Sequence, residues 1–406
     1  MTDILDYKGI VLKVGQWLMT NYWGPMHQAV KADPTLLQTL PGFLLKPAKL
    51  VYYMSRTHIG IEYVGPERID SLPETGTFQA VILDYSKKDC HILDEIVGFD
   101  YEDGVFRMPL APITSDLVLP TNAGADELER LNWNWSAQSM ILSFNTSGLE
   151  VPKRQFTRLI NARFFDSNAT AGLKTRHIKW LDLIPCEYDD SDGETDSFNV
   201  WLDPFIKLAK ADIYADYPVP SDFRLGRLQQ MNRFVEFIGD KSHSEPEITR
   251  LIASEELRFA LKMRFSAKEI HPECLCEWQS ETRKAIKPDF FVVGPDGYAD
   301  IVEFKLPDLT ASTVVGAPNR EAFSSTINSY IAQTRVYRDY FDDPNNRTYV
   351  KNKFGINIYR PKRHLIIGRR WDFENPEWRA IAADFPDLTI HTYDDLIDGV
   401  VMQFYN

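Results

Sequence analysis

The sequence predicts an α/β protein: a C-terminal mixed sheet flanked by helices, in the element order α-β-β-β-α-β, preceded by an α+β N-terminal region. Three observations carry the prediction. Beyond residue 245, apolar residues switch between helical and strand spacing in a readable order, whereas before 220 short apolar runs are separated by glycine, proline and aspartate. The chain of 406 residues is 44% hydrophobic, enough apolar material for two or three globular units.

Taken in order, residues 8–40 read as helical, with Ile10, Val11, Val14 and Leu18 on one face, Pro25 and Pro34 as breaks, and Pro41 just beyond the end. Strand-like runs follow at Leu50–Tyr53, Ile59–Val64, Phe78–Asp84, Met140–Phe144 and Ile178–Ile184. The stretch Asp212–Ser221, with Pro218 and Pro220 close together, reads as a linker. Leu225, Leu228, Met231, Val235 and Ile238 then recur at helical spacing. Glu247–Phe265 reads as one helix with Ile248, Leu251, Ile252, Ala260, Leu261 and Phe265 on its apolar side. Cys274–Trp278, Asp289–Val293 and Tyr298–Phe304 read as strands, the last two joined by a turn through Gly294–Gly297. Phe323, Ile327, Tyr330, Ile331, Thr334 and Tyr337 mark a long amphipathic helix, and His364–Gly368 a further strand. These elements divide the chain into an N-terminal region 1–220, as one unit or two small ones, a linker helix 221–240 and a C-terminal domain 241–406.

Composition narrows the class. No positively charged apolar leader opens the chain and no run approaches the roughly 18 apolar residues that cross a bilayer, so a soluble, cytoplasmic protein with no membrane partner is expected. Four cysteines, Cys90, Cys186, Cys274 and Cys276, are too few for a disulfide framework and fit a reducing compartment. Net charge is −13, which disfavours nucleic acid in aggregate, but its distribution is uneven: −10 over residues 1–240 and −3 over 241–406. Residues 347–370 hold no acid and carry Arg360, Lys362, Arg363, Arg369 and Arg370 among their cations, with Tyr349, Phe354 and Tyr359 interleaved. Such a stripe suits a groove that tracks a nucleic-acid backbone; the bland reading is a solvated face.

The hairpin at 287–305 carries the chemistry. Asp289 opens one apolar run, and Glu303-Phe304-Lys305 closes a second after a gap of thirteen residues. Residues two apart on a strand share a face, so Glu303 and Lys305 project together while Phe304 turns the other way. Two carboxylates and a backbone carbonyl, here that of Phe304, suffice to hold Mg²⁺, with Mn²⁺ as a substitute; such an ion polarises a phosphoryl oxygen. Lys305 beside them would orient a water or neutralise charge on a phosphate. The cluster His271, Cys274, Cys276 lacks a fourth zinc ligand and reads as core. The acidic run Asp189–Asp196 lacks the alternation of a calcium loop and reads as solvated, and Trp133, Trp135 and Trp180 read as core before they read as stacking platforms.

In this element order, Asp289 with Glu303-Phe304-Lys305 resembles the PD-(D/E)xK nuclease superfamily. The run Ile301-Val-Glu-Phe-Lys-Leu-Pro307, a following helix with Gln333 and Tyr337, and the strand His364–Arg370 narrow the likeness to the Shedu family of anti-phage nucleases, over roughly 245–375. The resemblance implies a restriction-endonuclease-like fold and a Mg²⁺-dependent DNA endonuclease, with Asp289 and Glu303 as metal ligands, Lys305 as the catalytic lysine and Gln333 facing the site. It implies a further glutamate from the first helix, for which Glu247, Glu255 and Glu256 compete; Glu247 at the helix start is preferred and Glu256 is the alternative. It also implies a homo-oligomer, dimer or tetramer. The charge split suggests that the N-terminal region gates or targets cleavage. A restriction or repair nuclease of the same superfamily, or a non-cleaving DNA-binding regulator, are the rival readings.

Overall fold

The computed structural model describes residues 7–73, 78–99, 107–138, 140–141, 149–189, 197–217, 223–280 and 282–405. The acidic segment 190–196 and the prolines at 218 and 220 lie outside these residues. The chain forms two units: 1–126, 138–168 and 174–221 make the first, and 127–137, 169–173 and 222–406 the second. Among the described residues, no helix is long and apolar enough to cross a membrane.

The first unit is a nine-stranded mixed sheet with a hydrophobic cluster on either side. Its main path runs Gln79–Asp84, Lys49–Met54, His58–Val64, Gly172–Asp189, Thr157–Asn168, Leu117–Pro120 and Met140–Ile141. The expected helix at 8–40 continues from Tyr7–Leu18 through a wide turn at Met19–Trp23 into Gly24–Ala32. Pro25 therefore sits in a first helical turn, where its missing N–H costs nothing, rather than at a break. Gly24 is needed at the joint, since a Cβ there would lie 2.6 Å from the Met19 carbonyl oxygen. Arg158 is fully buried between Asp182 and Asp212, at 2.5 and 2.7 Å, with its guanidinium 4.5 Å from the Trp180 ring. Trp133 and Trp180 are buried.

The second unit supplies the site, and its elements are numbered here. Helices α1 (Phe223–Gly239), α2 (Glu245–Ala253) and α3 (Arg258–Phe265) precede strands β1 (Glu269–Pro272), β2 (Phe290–Val293) and β3 (Ala299–Phe304). Helices α4 (Ser325–Asp342) and α5 (Pro344–Phe354), strands β4 (Arg363–Ile366) and β5 (Leu388–His391), and helix α6 (Tyr393–Tyr405) follow. The sheet order is β1-β2-β3-β4-β5, antiparallel through β3 and parallel beyond it. Gly297, at φ 84°, makes the β2–β3 turn that a side chain would strain. One face packs α4 through Ile327, Ile331 and Tyr337; the other meets Phe265 of α3 and Tyr393 of α6.

Two expectations shift. The single helix at Glu247–Phe265 is two, because the chain leaves α2 at Ser254 in an extended conformation (ψ 156°) before re-entering at Arg258. The first strand is Glu269–Pro272 rather than Cys274–Trp278: Glu273 adopts a left-handed φ of 50° and turns the chain off the ladder. Within residues 274–278, Cys276 forms an isolated bridge with Ile286, outside the strands of the sheet. Both cysteines are buried in the core with free thiols, and burial pushes the Cys276 thiol up to about 12.

Candidate metal centre

Strand alternation and hairpin register bring the first two carboxylates together. Phe290 pairs with Val302, so Asp289 and Glu303 end adjacent on neighbouring strands. The Asp289 Oδ2 accepts from the Phe304 N–H at 2.8 Å, which locks the aspartate to the strand that bears Glu303 and Lys305. Phe304 points to the opposite layer, packed against Phe290 and Tyr393. Tyr393 also donates its hydroxyl to the Lys305 carbonyl at 2.7 Å, pinning the end of β3.

The third carboxylate is Glu245. Glu245, Asp289 and Glu303 each present an oxygen within 4.8 Å of the others, the one such group of metal-ligating side chains among the described residues. Glu247 is placed elsewhere: as the third residue of α2 it reaches back to its own N-cap, accepting from the Ser244 N–H at 2.8 Å and hydroxyl at 2.6 Å. Those bonds lower its pKa and hold it on the surface. Glu256, the alternative, is exposed and paired with Arg233. Glu245, first in the helix, projects past the helix end instead. The signal was present in the sequence as Ser-x-x-Glu at 244–247, which marks Glu247 as a cap and frees Glu245 for other use.

Lys305 lies among the three. Its ammonium is 2.7 Å from Glu245 Oε1 and 3.0 Å from Glu303 Oε1, and 5.5 Å from the centre of the Tyr330 ring. Gln333 Nε2 donates to the same Glu303 oxygen at 2.6 Å and to the Tyr337 hydroxyl at 2.9 Å; that hydroxyl reaches Glu303 at 3.4 Å. Asp289, Glu303, Lys305 and Gln333 are thus brought together. Each carboxylate is tethered through one oxygen. The second oxygen of Asp289 and of Glu245 has no partner among the described residues, and that of Glu303 has only a 3.4 Å contact with the Asp289 N–H.

Electrostatics follow from this crowding. Burial first, and the Glu303 charge second, push Asp289 up to about 7. Burial also raises Glu303, against the pull of Lys305. For Lys305 burial works downward, but Glu303 and Glu245 outweigh it and hold the ammonium above its ordinary value. Three carboxylates thus face one ammonium in a partly dehydrated pocket. An all-oxygen donor set with uncommitted oxygens and surplus negative charge fits a hard divalent cation such as Mg²⁺.

The basic stripe divides. Arg363 is buried and bidentate to Asp387 at 2.9 and 2.8 Å, with Thr334 as a third partner. Arg369 is buried against Asp394 at 2.6 and 3.1 Å. Neither guanidinium can reach a phosphate on the surface, so the expectation for these two is corrected: they are fold ion pairs. Arg370 is exposed but engaged by Asp398. Arg360, resting on Tyr359 at 5.7 Å, and Lys362 are the exposed cations of the five whose side chains have no carboxylate partner among the described residues.

Residues 201–397 match the family model described as Shedu protein SduA, C-terminal. Comparison with curated proteins finds no match to the chain. The matched segment contains Glu245, Asp289, Glu303, Lys305, Gln333 and Tyr393, and over residues 201–397 this chain is similar to the C-terminal domain of the Shedu protein SduA.

Proposed function

We propose that this chain is a metal-dependent DNA endonuclease of the Shedu type, acting in defence against phage. The observation that carries it is the convergence of Glu245, Asp289 and Glu303 within 4.8 Å, with Lys305 in ion-pair contact with two of them. Mg²⁺, or Mn²⁺ in its place, would be held by those carboxylates and the Phe304 carbonyl; when bound, it supplies Lewis-acid polarisation of a phosphoryl oxygen and a more acidic water. Asp289 is fixed by the Phe304 N–H, so its free oxygen is pre-aimed. Gln333 and Tyr337 fix the rotamer of Glu303. Lys305, kept protonated by its neighbours, stabilises negative charge developing on the phosphate and does not act as the base. Arg360 and Lys362 contact the DNA backbone outside the site. The region before 220 gates or targets cleavage, and the protein works as a homo-oligomer, dimer or tetramer, in the cytoplasm.

The test incubates the full chain with linear, nicked and supercoiled DNA, with Mg²⁺ or with chelator, beside Lys305→Ala. Cleavage that needs Mg²⁺ and falls at least about 100-fold in the variant is expected. Tight binding without cleavage of any substrate would instead favour a DNA-binding regulator.

A further inference from the structure

We infer that Lys305 is a resident counter-ion of the metal centre, which an arriving divalent cation must displace from Glu245, so that loading the cation and freeing the ammonium are one event. This rests on the metal-centre reading above. The ammonium sits between Glu245 and Glu303 at 2.7 and 3.0 Å, and these are two of the three carboxylates whose oxygens cluster. A dication held by that cluster would share both carboxylates with the ammonium, and two cations on the same pair of anions in a partly dehydrated pocket repel strongly.

The contact that yields is the one to Glu245. The Glu303 side chain is 3% exposed and tied by Gln333 and Tyr337 through the same oxygen that faces Lys305, so it cannot turn without losing both. The Glu245 side chain is 33% exposed and lies in the first turn of α2, and its carboxylate has Lys305 as its one hydrogen-bond partner among the described residues. It can exchange an ammonium for a metal by rotating its side chain. Released from Glu245, the ammonium keeps Glu303 and the face of Tyr330, a half-buried ring 5.5 Å away that stabilises a cation without neutralising it. From there it is free to pair with a phosphodiester anion. Without the dication the ammonium stays paired with Glu245 and Glu303 and is withheld from substrate.

The test is cation affinity, read by calorimetry with Mn²⁺ at fixed pH and ionic strength on the full chain and on Lys305→Met, with circular dichroism to verify the fold. Removing the competing ammonium should tighten Mn²⁺ binding by roughly tenfold or more. Equal or weaker binding by a folded Lys305→Met protein overturns the inference while leaving the metal centre standing; no Mn²⁺ binding by either protein overturns the metal centre and the inference with it. Should Lys305→Met fail to fold, the lysine ammonium resonance of the ¹⁵N-labelled unmodified chain, assigned by its loss in Lys305→Arg, provides the second measurement. It should shift with Mg²⁺ in step with saturation. A signal that stays in place through saturation also overturns the inference.

Discussion

Glu245 and Glu247 stand two residues apart on one helical turn and do different things, because the first residue of a helix looks outward along its axis while the third can fold back on the cap. Glu245→Gln should therefore lose cleavage by about 100-fold or more with little change in melting temperature, an outcome a gel assay and a thermal melt together would verify. Glu247→Gln, which can still accept from the Ser244 N–H, should keep both cleavage and stability, measured by the gel assay and by urea unfolding. Asp289 adds a pH signature. Its carboxyl is held up to about 7 in the folded, metal-free protein, against about 4 in an unfolded chain. Between those values the folded state binds the proton and the unfolded state does not, so this contribution to stability is complete below about pH 4 and is lost as pH rises through 7. Melts in chelator should therefore fall from pH 5 to pH 8 relative to melts in Mg²⁺, where the cation replaces the proton; parallel curves would contradict it. The juxtaposition of Asp289, Glu303 and Lys305 was legible because strand alternation and a short hairpin fix it locally. Glu245 was legible only by elimination, through the Ser-x-x-Glu pattern that marks Glu247 as a cap, since where a helix end points depends on docking.

At the scale of elements, the pattern was readable where periodicity was clean and failed where polarity misled. The 12-residue strand Thr157–Asn168 escaped a reading based on apolar runs, because its inward positions include Arg158, a charge buried between two aspartates. The basic stripe misled in the opposite sense: Arg363 and Arg369 read as surface but lie inside, each neutralised by an aspartate from the last stretch of chain, which apolar periodicity alone left unassigned. That stretch forms β5 and α6, and it closes the sheet around the site. Tyr393 reaches Lys305, and Asp394 beside it gathers Arg369, the Arg370 N–H and Asn132. Asp394→Ala would leave a buried guanidinium without its partner, and chemical unfolding should show a loss of about 3–5 kcal/mol.

At the scale of the whole molecule, the net charge of −10 over residues 1–240 was visible in the sequence, but the path of the chain between its units was not. Sequence order suggests that cutting before 222 would release an intact C-terminal domain. The second unit, however, takes in residues 127–137 and 169–173. Asn132 donates to both Asp394 and Asp398, Asn134 and Asn232 exchange hydrogen bonds, and Gly239 is backed so closely by Leu131 and Leu173 that a Cβ there would stand 2.6 and 3.0 Å from them. A fragment 222–406 should accordingly melt at least about 5 °C below the full chain, by calorimetry, and its loss of cleavage would not by itself prove gating. The same interleaving bears on inheritance. A domain built as a bead on a string can be traded between proteins by one crossover, but the second unit here takes in two earlier segments of the chain. A recombinant that exchanges everything before 222 would inherit a C-terminal body with foreign buttresses, so viable exchanges must carry the two segments along with the body they brace.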